Sequence, residues 1–171
     1  MQHIILAGFM ATGKSEVGRR LAHAMGRAFV DTDALVEADA GRTVAEIFAA
    51  EGEPGFRARE RAAVVRACAM SPAIIAIGGG ALLDPESRQV LAAAGPIVCL
   101  QATPEEILRR VGDAASRPLL ADAGEDERLA RVRALLAERA PVYALATHAV
   151  DTTGLDPDAV AARVRAVVEA G

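Results

Sequence analysis

Asparagine and tryptophan are absent from these 171 residues, lysine occurs once, at position 14, and aromatic side chains amount to 3%. Each scarcity excludes something. Without asparagine there is no N-K-x-D run, the guanine-reading signature expected of a nucleotide-dependent switch. With so few rings there is little on which bases could stack, and a formal net charge of −4 provides no basic face for a phosphodiester backbone, so nucleic acid is not an expected partner. The two cysteines, Cys68 and Cys99, lie far apart, with no C-x-x-C and no Cys/His cluster, which fits a reducing compartment. No apolar run approaches the length of a membrane span, and no basic-then-apolar leader precedes the first apolar run. The expectation is a cytoplasmic protein without a membrane partner.

What is present fits one α/β domain over residues 1–171. Hydrophobic residues reach 52%, so Ala, Val, Leu and Ile must fill the core. The single lysine is informative because every other basic side chain, the three histidines aside, is arginine. Lysine is retained where a compact, mobile point charge does what a planar fork cannot. Lys14 falls in Gly8-Phe9-Met10-Ala11-Thr12-Gly13-Lys14-Ser15, a complete G-x-x-x-x-G-K-[ST] phosphate loop directly after the apolar run Ile4-Ile5-Leu6-Ala7. Strand, glycine loop and helix in that order point successive N–H groups and a helix dipole at one concavity, a seat for nucleotide phosphates. The expected nucleotide-contacting residues here are Gly8, Ala11, Thr12, Gly13, Lys14, Ser15 and Glu16. Lys14 reaches the β/γ-phosphates, and the Ser15 hydroxyl completes a Mg²⁺ shell.

Strands alternate with helices through the rest of the chain, the pattern of a mostly parallel sheet with helices on both faces. A helix over 16–25 ends at Gly26, and Ala28-Phe29-Val30 delivers Asp31-Thr32-Asp33 at a strand's carboxyl end. Two carboxylates at alternate extended positions point the same way: one could hold Mg²⁺, the other accept a hydroxyl proton. The alternative is that Asp33 caps a helix from Ala34. Three helical pieces follow to Met70, broken at Gly41-Arg42 and at Glu53-Pro54-Gly55, with Thr43 and Glu46 as a capping box. Arg59 and Arg61 belong to a charge run that reads as a solvated helix face. The continuous apolar run Ala73–Ile77 enters Gly78-Gly79-Gly80, which either lets backbone approach a ligand or is a loose turn. A helix over 85–94 and a strand over 96–100 follow. Thr103 and Glu106 form a second expected capping box, and Arg109 and Arg110 suit a helix C-terminus. Residues 112–126 break periodicity, as a lid or a disordered loop does. Helical pattern resumes over 127–139 until Pro141 interrupts it; a strand at 148–150 and a helix over 157–169 close the chain.

Taken together these motifs resemble the shikimate kinase family over essentially the whole chain. The resemblance rests on the phosphate loop, Asp31-Thr32-Asp33, Gly52-Glu53 with Phe56-Arg57 and Glu60, Gly78-Gly79-Gly80, Arg117-Pro118-Leu119-Leu120, and Arg139-Ala140-Pro141-Val142-Tyr143, all in family order. It implies a phosphate-loop NTPase-type fold like that of nucleoside monophosphate kinases, with a substrate-binding helical segment near 33–62 and a lid near 112–126. It implies transfer of the ATP γ-phosphate to the 3-hydroxyl of shikimate, with Mg²⁺, by a chain expected to be a monomer. Ser15 and Asp31 would hold the metal. Asp33, Arg57, Gly79, Gly80 and Arg139 would bind shikimate, with Glu60 orienting Arg57 and the two arginines clamping the carboxylate. Lys14, Asp33 and Arg117 would act in catalysis, Arg117 closing over the phosphates from the lid, and Arg110 would lie beside adenine. The residues read without the resemblance leave room for another small-molecule kinase of the same fold, for gluconate or a nucleoside monophosphate.

Overall fold

Five short strands form one parallel sheet in a computed structural model of the chain, which describes residues 2–112 and 124–170. They are β1 (Ile4–Gly8), β2 (Ala28–Asp31), β3 (Ala73–Ala76), β4 (Ile97–Gln101) and β5 (His148–Asp151), in the spatial order β2-β3-β1-β4-β5. A parallel sheet covered on both faces needs strands that are apolar at every position, and β1 and β3 are buried throughout. Alternation along each strand then divides the core. Ile5, Ala7 and Ile75 face one side, Ile4, Leu6 and Ile74 the other.

Among the described residues seven α-helices cover these faces: α1 (Lys14–Met25), α2 (Thr32–Ala40), α3 (Val44–Cys68), α4 (Pro85–Ala94), α5 (Pro104–Val111), α6 (Glu125–Tyr143) and α7 (Pro157–Glu169). From α1 and α7, Val17, Leu21, Val160 and Val164 pack on the Ile4 side; Val64, Leu91, Ile107 and Val132 from α3 to α6 pack on the Ile5 side. A third, smaller cluster of Val36, Ile47, Phe56 and Ala63 joins α2 to α3, with the Phe48 and Phe56 rings 4.6 Å apart. The chain leaves β1 toward the edge strand β2, whereas it leaves β3 across the sheet toward β4. Their carboxyl ends therefore part into a crevice, where ligands of open α/β sheets bind.

Four local expectations are corrected. Asp31, not Asp33, caps the helix: its Oδ1 accepts from the Asp33 and Ala34 N–H groups, so the extended backbone stops at Asp31. The break near position 54 lies at Gly52, with φ 68° and ψ −177°, which leaves Pro54 in the first turn of the helix that resumes, where no N–H is needed. Pro141 does not end its helix; α6 runs on to Tyr143. Thr103 does cap α5, but Glu106 does not close the box, because its carboxylate is taken by Arg109 and Arg110 while the Thr103 N–H goes to Thr153. The Thr43–Glu46 capping box is present in full. Among the described residues no helix is long and apolar enough to cross a membrane.

Candidate active site

The crevice holds a cavity of about 360 Å³, lined from two glycine-bearing connections, 8–13 and 78–80, from the ends of β2 and β3, and from α1, α2, α3 and α6. Its floor at one end is the loop from Gly8 to Gly13. Gly8 (φ 137°) and Gly13 (φ 92°) occupy the left-handed half of backbone space, and a Cβ on Gly8 would collide with the Leu100 carbonyl. Ala11 is the one non-glycine residue at positive φ among those described, at 58°. Thr12 is buried and donates to the Phe9 carbonyl at 2.8 Å, which fastens the loop to itself. Lys14 arches back over the loop, its Nζ 2.9 Å from the carbonyl oxygens of both Gly8 and Phe9. Its charge thus already stands at the loop mouth, on weak neutral partners that an anion would replace.

Ser15, in the first turn of α1, donates to Asp31 Oδ2 at 2.7 Å. The Ser15 hydroxyl and the Asp31 carboxylate, bonded to each other at the foot of the loop, form an all-oxygen donor set. That set fits Mg²⁺, which takes one or two protein ligands and fills its shell with water and phosphate oxygens. Among the described residues no group of three or more His, Cys, Asp or Glu could cage a metal by itself. Glu16 lines the same cavity but is committed outward, to Arg20 at 2.8 Å.

The opposite end is made of side chains. Arg57 donates from Nη1 to Glu60 at 2.6 Å and from Nη2 to Glu53 at 3.3 Å, and its guanidinium lies 5.3 Å from the Phe56 ring centre. Glu60 is only 2% exposed, so it acts as a fixed support for Arg57. Arg139 is buried as well, 5.2 Å from the Phe9 ring centre, and donates to the Gly79 carbonyl at 3.3 Å. Between the two arginines runs Gly78-Gly79-Gly80, and it is no loose turn. A Cβ on Gly78 would collide with the Glu60 carboxylate and stand 2.9 Å from Asp33 Oδ1, while one on Gly80 would stand 2.5 Å from Arg57 Nη2. The glycines exist so that these charges can close on the backbone.

Asp33 sits where the two ends meet. Burial, and then the neighbouring Asp31 carboxylate, push its carboxyl above the ordinary value, against the pull of Lys14. Burial also raises Glu60, opposed by Arg57. Asp33 Oδ1 and Glu60 Oε1 are buried without a hydrogen-bond partner among the described residues, and both face the space above Gly78. Orphaned acceptors beside an open cavity are fitted to a donor from outside, such as a substrate hydroxyl.

Ala11, Gly13, Lys14, Ser15, Glu16, Asp31, Asp33, Arg57, Gly79, Gly80 and Arg139 therefore line one cavity, as the sequence motifs require. Gly8 and Thr12 shape the loop from within. Arg110 is on the loop's other side: its guanidinium reaches the Ala11 carbonyl (3.4 Å), Thr152 Oγ1 (2.9 Å) and the Thr152 carbonyl (2.7 Å), with Glu106 behind it at 2.8 Å. The side chain of Arg109 is 71% exposed against 19% for Arg110, so of the two it is Arg110 that abuts the phosphate loop. Hydrogen bonds from Arg109, then Arg110, bring the Glu106 carboxyl down to about 2. Arg117 and most of the lid expected over 112–126 lie outside the described residues. Sequence reasoning missed three supports: Thr32, whose buried hydroxyl accepts the Gly78 N–H at 3.2 Å; Thr152, which holds Arg110; and Tyr143, which donates to the Gly79 carbonyl at 2.8 Å. Thr32 and Tyr143 carry a signal, since each stands inside one of the motifs quoted above and Tyr143 is the sole tyrosine of the chain; Thr152 carries none.

A five-stranded parallel sheet with a phosphate loop at its switch point defines a phosphate-loop α/β protein of the nucleoside monophosphate kinase type. The comparisons with known proteins narrow that class. A family model described as shikimate kinase matches residues 10–169, and the chain belongs to the shikimate kinase family. It is 53% identical to the shikimate kinase of Symbiobacterium thermophilum over 148 residues, 85% of this chain and 83% of that one. With the shikimate kinase of Geobacter metallireducens it shares 44% identity over 169 residues, 99% and 93% of the two chains. Its fold superposes with a TM-score of 0.92 on the shikimate kinase of Acinetobacter baumannii solved in complex with shikimate, at 33% identity and over 99% and 94% of the two chains.

Proposed function

We propose that this chain is a single kinase domain that transfers the γ-phosphate of ATP to the 3-hydroxyl of shikimate. The observation that carries the proposal is the two-ended cavity: a phosphate loop faces two guanidinium groups across three glycines, with an orphaned carboxylate oxygen between them. A small carboxylate-bearing polyol is complementary to that arrangement. Planar guanidinium forks take its carboxylate, and the Gly79–Gly80 backbone and Asp33 take its hydroxyls.

In this reading the loop amides and Lys14 seat the phosphates, Lys14 exchanging its two carbonyl partners for phosphate oxygens. Arg110 flanks the base side of the nucleotide, steadied by Glu106 and Thr152. Asp33 accepts the proton of the attacking hydroxyl, and its raised carboxyl is the better base for that role. Ser15 and Asp31 would hold Mg²⁺, which supplies charge neutralisation on the phosphates when bound. Most of the catalysis is then positioning and electrostatics rather than covalent chemistry.

An ATP-consumption assay across shikimate, gluconate and nucleoside monophosphates tests the reading. Turnover with shikimate alone is expected; preference for either other substrate would overturn it.

A further inference from the structure

Tyr143 is in contact with the site without lining it. It sits one helical turn after Arg139 on the same face of α6, buried at 8% exposure in the core beneath the sheet's carboxyl edge. Its hydroxyl donates to the Gly79 carbonyl at 2.8 Å, shorter than the 3.3 Å contact that Arg139 makes to the same oxygen. The Gly79–Gly80 peptide is trans, so its carbonyl and its N–H point in opposite directions. Fixing the Gly79 carbonyl on Tyr143 therefore turns the Gly80 N–H away from the core. Among the described residues no acceptor takes that N–H, and Gly80 lines the cavity. Two glycines in succession have no side chains to hold this plane by packing, and glycine backbone is otherwise free to rotate.

Resting on the proposed function above, we infer that the Tyr143 hydroxyl is a positioning group for the acceptor substrate. It holds the peptide plane that offers the Gly80 N–H, and it goes on holding it when Arg139 turns from the Gly79 carbonyl to a substrate carboxylate. Without the hydroxyl, that carbonyl keeps only Arg139, and substrate and backbone then compete for one guanidinium.

Tyr143→Phe retains the ring and removes the hydroxyl. The expected result is a rise of about 5- to 10-fold in KM for shikimate, the loss of one net hydrogen bond, with KM for ATP within error of wild type and a fall of only a few degrees in the thermal midpoint for the buried bond itself. An unchanged KM for shikimate overturns the inference, and so does an equal rise for both substrates. Because the chain has one tyrosine, biosynthetic 3-fluorotyrosine labels this position alone and needs no destabilising substitution. Its ¹⁹F resonance should move when shikimate is added and stay in place when a non-hydrolysable ATP analogue is added alone; no shift with shikimate overturns the inference as well. A wild-type protein that fails to phosphorylate shikimate would instead refute the proposed function, and the two failures are separable in the same assay.

Discussion

The two ends of the cavity hold charge by opposite means. At the phosphate loop the work falls to backbone: glycines at positive φ, a helix start, and one lysine resting on peptide carbonyls. At the far end it falls to side chains brought from distant elements, Arg57 braced by Glu60, and Arg139 by Phe9 and Gly79. A backbone site accepts any polyphosphate of the right shape, whereas a side-chain site can be tuned one residue at a time. On the proposed function, generic affinity and specificity are thereby separated in space.

Substitution at each end should produce a different kinetic signature. The largest effect is expected from Lys14→Ala, which removes the mobile charge at the loop mouth; kcat/KM should fall about 10³-fold, with the loss visible against every acceptor. Steady-state kinetics check this, and a loss confined to shikimate would erase the distinction between the ends. Asp33→Asn, at the junction, should lower turnover about 10²-fold while nucleotide binding survives.

The same variant has a stability signature. Burial and Asp31 raise the Asp33 carboxyl, so the folded chain keeps this proton to a higher pH than the unfolded chain does. As pH rises from about 4, unfolding comes to release a proton, and Asp33 costs the fold stability that it does not cost in acid. Denaturant titrations should therefore find Asp33→Asn more stable than wild type at pH 7, with the advantage shrinking toward pH 4. An advantage independent of pH would mean that burial of the charge is not its source.

A smaller and more selective effect belongs to Arg139→Lys, which keeps the charge and loses the fork. KM for shikimate should rise about 10-fold and KM for ATP should not change. Arg59→Ala should do least. Arg59 is bonded to Glu51 in two places on an exposed face, outside the cavity, so stability should move by under about 0.5 kcal/mol and kinetics not at all.

What could be read from sequence follows the same division. The phosphate loop is legible because tight turns demand glycine at fixed spacing, and the sheet because buried parallel strands must be apolar at consecutive positions. The arginine end is legible only through resemblance, since nothing local distinguishes Arg57 from Arg59 two residues away; Glu60 and Gly80 make the difference in space. Either Asp31 or Asp33 suits the start of α2 in sequence, and only the backbone gives the capping role to Asp31. The hydroxyls of Thr32 and Thr152 bond across long stretches of sequence, to Gly78 and Arg110, and no periodicity encodes such a bond.

The lone lysine has a consequence for anyone who handles the protein chemically. Its amine rests on the Gly8 and Phe9 carbonyls, at the mouth of the loop, and no other side chain offers an ε-amino group. Amine-directed acylating reagents, whether dyes or activated surfaces, can meet only this residue and an α-amino group. Arginine elsewhere leaves the exterior inert to them, and coupling that on most proteins would scatter over the surface would here report on one functional position.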